Sequence, residues 1–507
     1  MALYSSADRR FHEALSRLAY ANPFTTERFD FEREALGDDY EPAASGVWSR
    51  RADIDERRPN IAKLSERAVA ATNRAREALV AGKRATAAEL VLYEDAALYV
   101  LYDQFRGELQ KFFVAPLASA TPAKITFWPK FKQAFEHFFR IADMPLPSNY
   151  DSAHIFAGFF QIRRAFHHIF DFIVGESQTT ARLRATVWQS IFTHDLRRYR
   201  RTLYSRMNDI STLVCGPSGT GKELVARAVG LSRYIPFDAH KQCFADDCLG
   251  SFYAVNLSAL SPTLIESDLF GHCKGAFTGA VAERAGWLEQ CPSFGTVFLD
   301  EIGELDSTIQ VKLLRVVQTR SFSRLGESKP RPFDGKLITA TNRDLAEEMR
   351  AGRFREDLYY RLCSDLIQTT PLRDQLADAP GDLHNLVLFI ARRIAGDDAE
   401  ELAREVEAWI DKSLGRSYAW PGNIRELEQC VRNCLVRGSY HPPRPKSLRT
   451  DESRQWLAAA EQGTLTAEDL LNHYCRWIYA QVGTYEATAE RLGIDRRTVK
   501  RRIAGEE

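Results

Sequence analysis

Apolar residues recur at intervals of three and four along much of residues 1–171, which is the period of a helix buried on one side. The spacing predicts helices at Ile61–Val80, Thr86–Phe113 and Pro129–Ala142, whereas residues 1–60 are more polar and predict short helices and loops. The stretch Ile155–Val174 is rich in Phe and Ile, but two arginines and two histidines interrupt it. It therefore predicts a helix packed in a core. We expect an α-helical N-terminal region over residues 1–171.

The pattern changes after residue 172, where short β-rich apolar runs alternate with helical stretches. These runs are Ser211–Cys215, Phe252–Asn256, Val297–Asp300 and Lys336–Ala340. Such alternation predicts a parallel sheet covered by helices, with a ligand bound at the carboxyl ends of the strands. We expect an α/β unit over residues 172–373, followed by a smaller helical lid over 374–438.

Three prolines and several charges mark Ser439–Arg454, which predicts a linker within residues 439–463. Beyond it, Thr466–Val482 is an amphipathic helix by its pattern, and two short helices follow at Tyr485–Leu492 and Arg496–Ile503. Gly493 in the turn and Asp495 as N-cap of the last helix predict a helix-turn-helix within residues 464–507.

Composition limits the possible roles of the chain. The 507 residues suffice for about three domains, and the apolar and charged fractions of 45% and 27% are those of an ordinary globular protein. Because the net charge is zero, affinity for nucleic acid must be local. At the N-terminus no basic segment precedes an apolar stretch, and nowhere do eighteen apolar residues run together, so we expect a cytoplasmic protein with no membrane span.

All nine cysteines lie from Cys215 onward, without the regular spacing of a disulfide framework, so reduced thiols are expected. His240, Cys243 and Cys248 cluster in the segment Asp238–Ser251. Three such side chains could hold zinc, but a fourth ligand is not evident, and an exposed loop is the alternative.

A glycine-rich stretch between an apolar run and a helical pattern predicts a phosphate-binding loop, since such a turn aims backbone N–H groups and a helix end at one point. Its residues are Gly216, Pro217, Ser218, Gly219, Thr220, Gly221 and Lys222. Lys222 would reach the β and γ phosphates of a nucleotide. Glu223 stands where Ser or Thr usually binds magnesium.

A second strand ends in the acidic pair Asp300 and Glu301. Beside a phosphate loop, Asp300 can bind the Mg²⁺ of ATP and Glu301 can polarise the attacking water. The last helix of the chain is strongly basic, which suits phosphate and base contacts in a major groove. The predicted DNA contacts are Arg496, Arg497, Thr498, Lys500 and Arg501.

The hexapeptide Gly275, Ala276, Phe277, Thr278, Gly279 and Ala280 has an apolar tip flanked by glycines. Together with the preceding Glu266–His272, it resembles the AAA+ domain of bacterial enhancer-binding proteins, the ATP-dependent activators of sigma-54 RNA polymerase. The resemblance runs from about Phe172 to Gly438 and returns at the C-terminus, where the last helices are similar to a Fis-type DNA-binding domain. It implies a P-loop ATPase that assembles from dimers into a hexameric ring, with the hexapeptide touching the sigma factor.

The same resemblance implies roles for further residues. Asn342 would sense the γ-phosphate, and Asn256 would restrain Glu301. Arg355 and Arg361, six residues apart, match arginine fingers that act on a neighbour's nucleotide, a device that accelerates phosphoryl transfer. Arg425, in the motif Trp420–Leu427, matches a second sensor that contacts nucleotide in its own subunit.

The implied function is therefore an ATP-dependent activator that binds double-stranded DNA upstream and remodels the sigma-54 holoenzyme. Two other classes are an AAA+ unfoldase, which would need an aromatic pore loop in place of the hexapeptide, and a DNA-binding repressor with a vestigial ATPase. The N-terminal region fits a protein-interaction or a self-inhibiting role, and its signal stays open.

Overall fold

A computed structural model describes residues 2–42, 59–114, 123–142, 144–246, 252–260, 262–442, 456–457, 459–482 and 484–504. The chain divides into two compact units, residues 1–439 and 440–507. Each is described by itself.

The first unit begins with helices packed around an aromatic core. They are α1 (Ser6–Tyr20), α2 (Glu27–Leu36), α3 (Pro59–Val80), α4 (Ala87–Val114), α5 (Trp128–Phe139) and α6 (Ser152–Phe172). The helices predicted from the three-and-four spacing are confirmed to within a few residues. Asp151 caps α6 by accepting a hydrogen bond from the N–H of His154, which satisfies one of the free donors of the first turn.

A parallel sheet forms the centre of the unit. Its strands are β1 (Thr212–Cys215), β4 (Phe252–Asn256), β5 (Thr296–Asp300), β8 (Lys336–Thr341) and β9 (Asp365–Gln368), in the order β4-β5-β8-β1-β9. Two hairpins lie outside it, β2 (Phe237–Asp238) with β3 (Cys243–Phe244) and β6 (Ser321–Phe322) with β7 (Arg331–Pro332). The four predicted strands are confirmed. The edge strand β9 was missed, because it has only two apolar residues, Leu366 and Ile367, between a polar residue at each end.

Helices cover the sheet and continue into the lid. Those that accompany the sheet are α7 (Gln178–Phe192), α8 (Leu196–Arg198), α9 (Lys222–Gly230), α10 (Pro262–Phe270), α11 (Trp287–Gln290), α12 (Ser307–Thr319), α13 (Leu345–Arg350) and α14 (Glu356–Leu362). The lid helices are α15 (Leu372–Asp378), α16 (Asp382–Ala395), α17 (Ala399–Ser413) and α18 (Asn423–Arg437). Gly438 ends α18 at φ 69°, a left-handed conformation that favours glycine.

The N-terminal helices and the sheet do not have separate cores. Ile169 of α6 packs in one cluster with Val214 of β1, and hairpin β2–β3 lies within the aromatic core of the N-terminal helices. There the ring of Phe244 stacks 4.1 Å from that of Phe160. The predicted boundary at residue 172 thus falls at the end of a helix that belongs to both sides.

The second unit contains α19 (Ala467–Val482), α20 (Tyr485–Leu492) and α21 (Arg496–Ala504). Within the predicted linker, residues 456–457 and 459–461 are helical, and Trp456 is buried. Two of the linker's three prolines lie outside the described residues. In the part of the chain that the structure describes, no helix is long and apolar enough to cross a membrane.

Candidate functional site

The predicted phosphate loop joins β1 to α9. Gly216, Gly219 and Gly221 have φ of 147°, 78° and 86°, conformations that side chains rarely adopt. A Cβ on Gly216 would lie 2.1 Å from Oγ1 of Thr369, so the loop packs directly against the end of β9. Thr220 Oγ1 also lies 2.6 Å from Thr369 Oγ1. Thr369 thus supports the loop, and no sequence motif indicated it.

The ammonium of Lys222 folds back onto the loop, where Nζ donates to the carbonyls of Gly216 at 3.0 Å and Pro217 at 3.2 Å. Burial lowers its pKa, while the nearby carboxylates of Glu301 and Asp300 oppose that shift. The cation is therefore held at the mouth of the loop, facing the acidic pair.

Glu223 does not reach this centre. Its carboxylate pairs with Arg227 at 2.8 Å, one turn along α9, and its side chain is half-exposed. The loop therefore lacks the hydroxyl ligand that usually follows the lysine, and Glu223 does not stand in for it.

Asp300 and Glu301 come at the carboxyl end of β5. Asp300 Oδ1 accepts the N–H of Glu301 at 3.0 Å, and Glu301 Oε2 accepts the N–H of Asn342 at 3.3 Å. Glu301 has φ 58°, which is strained for a residue with a side chain and is typical of functional positions. The acidic pair and the strand-end Asn342 thus lie together, as the parallel sheet predicted.

Asn256 is the register partner of Asp300 across β4 and β5. Its Oδ1 accepts hydrogen bonds from the N–H of Ser258 at 3.0 Å and from the Ser258 hydroxyl at 2.8 Å. It is adjacent to the acidic pair, and the structure records no hydrogen bond between Asn256 and Glu301 among the described residues.

The lid contacts the phosphate loop through three consecutive residues. Asn423 Nδ2 donates to the carbonyl of Ser218 at 2.9 Å, and Arg425 Nη1 donates to the Ser218 hydroxyl at 3.0 Å. The N–H of Ile424 donates to the carbonyl of Gly219 at 3.0 Å. The structure therefore brings Arg425 to the loop of its own chain. Asn423 was missed as a contact residue, although it lies in the same motif as Arg425.

Arg355 precedes α14 as its N-cap, Arg361 lies in the last turn of that helix, and both are exposed. Arg355 makes a two-pronged ion pair with Asp357, at 3.0 and 2.7 Å. Within the described residues, neither guanidinium contacts the phosphate loop of its own chain.

The hexapeptide forms a compact turn. The N–H of Gly275 donates to the carbonyl of Ala280 at 2.9 Å, and Gly275 and Gly279 have φ of 80° and 102°. Phe277 at its tip is 40% exposed, with its ring 5.0 Å from that of His272. Hairpin β6–β7 approaches it, since a Cβ on Gly326 would lie 2.9 Å from the Cβ of Ala276. The turn therefore presents an aromatic side chain to solvent.

In the second unit, α21 buries Val499 and exposes four cations, namely Arg496, Arg497, Lys500 and Arg501, while Thr498 is half-buried. Asp495 accepts the N–H of Arg497 at 2.8 Å, as expected for its capping role. Arg502 points the other way, with Nη1 donating to Asn472 of α19 at 2.9 Å. One face of the helix is thus basic and the other is packed.

The possible zinc site gains no support. Among the described residues, no three His, Cys, Asp or Glu side chains are placed to hold a metal ion, and Cys248 lies outside those residues. The eight described cysteines are free.

Comparison with known proteins matches residues 190–368 to the Sigma-54 interaction domain. A relative from Pseudomonas putida, "Sigma54-dependent transcriptional activator SfnR", is 40% identical over 277 residues, which are 54% of this chain and 70% of that protein. The chain belongs to the family of sigma-54-dependent transcriptional activators. A Nif-specific regulatory protein from Azotobacter vinelandii is 40% identical over 299 residues. The matched region is 58% of this family member and 53% of that relative.

Among solved structures, NtrX from Brucella abortus in complex with ATP is 21% identical and covers 80% of this chain and 85% of its own. Its TM-score is 0.39, too low to carry an argument about the arrangement of this family member.

The contact between lid and loop generates a stability prediction. Gly219→Ala should lower the free energy of unfolding by more than Gly221→Ala, because both glycines have positive φ but only a Cβ on Gly219 meets the carbonyl of Gly422, at 2.3 Å. The strain of a left-handed alanine costs about 1–2 kcal/mol in each variant, and overpacking adds about 1–3 kcal/mol at Gly219 alone. Urea unfolding of both variants measures the difference. Equal losses in the free energy of unfolding would mean that the lid moves away from the added methyl group at no energetic cost.

Proposed function

We propose that this protein hydrolyses ATP in a hexameric ring, binds DNA upstream of its promoters and uses hydrolysis to remodel the sigma-54 polymerase holoenzyme in the cytoplasm. The observation that carries the proposal is the meeting of Lys222, Asp300, Glu301 and Asn342 at one edge of the sheet. The sigma-54 interaction domain and the exposed turn around Phe277 point to the target.

The site chemistry follows from these positions. Backbone N–H groups of the phosphate loop and the ammonium of Lys222 bind the phosphates, which displaces Nζ from the loop carbonyls it contacts. Asp300, a half-exposed carboxylate at a strand end, suits Mg²⁺, which favours one or two carboxylates together with substrate phosphates. Because Glu223 is paired with Arg227, we assign Asp300 as the side chain through which the protein binds Mg²⁺.

Glu301 orients and deprotonates the attacking water. Glu301 accepts a hydrogen bond from the backbone of Asn342, which ties it to the adjacent strand. The residue that senses the γ-phosphate, Asn342, and the base, Glu301, therefore move together. Asn256 lies one register position away, and because Ser258 occupies its Oδ1, its Nδ2 is the group that can donate to the Glu301 carboxylate.

Two exposed arginines that do not reach the loop of their own chain support a ring. A guanidinium supplied by a neighbour neutralises the charge that develops in phosphoryl transfer. Arg361 and, once released from Asp357, Arg355 act in this way across a subunit boundary. Arg425 senses the nucleotide from within the subunit, through the lid. Loss of the γ-phosphate then changes the contact between lid and loop, and the resulting domain movement shifts the turn around Phe277.

ATP-dependent binding to purified sigma-54 tests the function as a whole. The proposal requires a complex with an ATP transition-state analogue and none with ADP. An unfoldase would instead degrade or unfold a tagged substrate, and a repressor would bind DNA without nucleotide turnover. Either result, if sigma-54 binding is absent, would contradict the proposal and favour the corresponding alternative function.

The division of labour between two residues is a sharper test. Lys222→Ala should reduce ATP affinity at least tenfold, because it removes the cation that holds the phosphates. Glu301→Gln should keep that affinity and lose turnover, because the amide is isosteric but cannot accept a proton. Calorimetric titration and phosphate release measure the two quantities. An equal loss of affinity in both variants would contradict these roles.

The coupling to sigma-54 rests on the hexapeptide. Thr278→Ala should leave ATP turnover within about twofold of the parent, since Thr278 lies in the exposed turn and not at the sheet edge, and should abolish transcription from a sigma-54 promoter. Val281→Ala is the matched control, because Val281 is 80% exposed just beyond the hexapeptide. Normal activation by the Thr278 variant would show that the contact lies elsewhere.

DNA binding should depend on the exposed face of α21. Replacing Arg497 and Lys500 by Ala should weaken specific binding by about 2–6 kcal/mol, from about 1–3 kcal/mol for each base-reading contact. It should also reduce the salt dependence by about one unit of slope per lost phosphate contact. A control pair of equal charge, Arg404→Ala with Arg432→Ala in the lid, should have no effect in gel-shift titrations. Undiminished binding after removal of residues 455–507 would place the contact surface elsewhere.

A further inference from the structure

A cavity of about 770 Å³ lies between the N-terminal helices and the segment that precedes the sheet. One wall comes from α4 and α6, and the other from α7 and residues 196–204. Its volume is within the range of about 300–1,000 Å³ typical of small-molecule sites. It is separate from the candidate nucleotide site, because none of the phosphate-loop or acidic-pair residues lines it.

The body of the cavity is aromatic. Tyr99, Tyr102 and Phe159 line it from the N-terminal helices, and Phe166 and Trp188 lie where α6 meets α7, their rings 5.0 Å apart. Such walls bind an apolar or aromatic ligand by desolvation and ring contacts.

The charges at the wall do not balance. Several have partners of opposite charge, namely Arg28 with Glu32, Arg106 with Asp103, and Asp95 with Arg197. Two lining guanidiniums, Arg163 and Arg200, make no ion pair among the described residues. Arg163 donates to the neutral Gln110 at 2.6 Å.

Arg200 is the more telling of the two. Its Nη2 donates to the hydroxyls of Tyr20 and Tyr150, each at 2.6 Å. The Tyr20 hydroxyl in turn donates to Asp95 at 2.8 Å, but the direct ion pair of that carboxylate is with Arg197. The Nε of Arg200 is buried and has no hydrogen-bond partner among the described residues. A partly buried guanidinium without an acidic partner carries an electrostatic cost, and an anion in the cavity beside Arg200 would lower that cost.

We propose that this cavity is a binding site for a small organic anion with an aromatic or other apolar body, whose carboxylate or sulfonate is held by Arg200 or Arg163. Because its walls belong to the N-terminal helices and to the segment leading into the sheet, a bound molecule bridges the two. The site thereby supplies a place where a soluble signal can act on this chain without touching the nucleotide.

Gly158 makes the site testable. It lines the cavity from the middle of α6, and a Cβ added there would meet no atom within 4 Å. Gly158→Trp should therefore fill the cavity without straining the helix, while Gly158→Ala is a matched control that adds only one methyl group.

The probes are 1-anilinonaphthalene-8-sulfonate and its uncharged counterpart N-phenyl-1-naphthylamine, titrated by fluorescence into the full chain. We expect saturable binding of the sulfonate, weakened at least tenfold by Gly158→Trp and changed less than twofold by Gly158→Ala. In a double variant, Arg163→Gln with Arg200→Gln, affinity for the sulfonate should fall at least tenfold while that for the neutral probe changes less than twofold.

Two results would overturn the proposal. One is sulfonate binding that Gly158→Trp leaves unchanged, which would place the probe elsewhere. The other is an unaltered preference for the sulfonate over the neutral probe in the arginine double variant, which would mean that the guanidiniums do not recognise the anion. If circular dichroism shows that the tryptophan variant fails to fold, the arginine variant alone decides.

Discussion

The parallel direction of five strands is the constraint on which the candidate site depends. In the order β4-β5-β8-β1-β9, every carboxyl end lies along the same edge of the sheet. That edge receives the phosphate loop from β1, the acidic pair from β5, Asn342 from β8 and Thr369 from β9. Residues far apart in the chain therefore meet, because each follows directly on a strand whose position the sheet fixes.

The lid adds a second constraint, because it touches the loop through backbone as well as side chains. The N–H of Ile424 binds the carbonyl of Gly219, and a Cβ on Gly219 would collide with the carbonyl of Gly422. Glycine is thus required here by close approach as well as by its positive φ. Under the proposed function, a change of nucleotide at the loop would reach the lid through this contact.

The N-terminal helices are joined to the sheet more closely than a separate regulatory domain would be. Hairpin β2–β3 leaves the sheet region and packs its two phenylalanines among Phe156, Phe160 and Trp128. The next strand in the chain after this hairpin is β4, which ends at Asn256. The cavity between α6 and α7 lies in this shared region.

Sequence alone was enough for the elements with strong local signals. The long helices follow from apolar spacing, the central strands from short β-rich runs before polar residues, and the phosphate loop and hexapeptide from glycines that the backbone needs at positive φ. The family, too, could be recognised from the hexapeptide and its neighbours.

Strand β9, Thr369 and Asn423 could not be found in this way, because their importance comes from pairing with β1 and packing against a loop remote in sequence. Tertiary structure likewise decided the shared core across residue 172, the pairing of Glu223 with Arg227, and the lack of an ion pair, among the described residues, at Arg163 and Arg200 in the cavity. The physical reason is the same in each case. Hydrogen-bond partners, burial and charge balance depend on which distant segments come into contact, and the local pattern of residues does not determine those contacts.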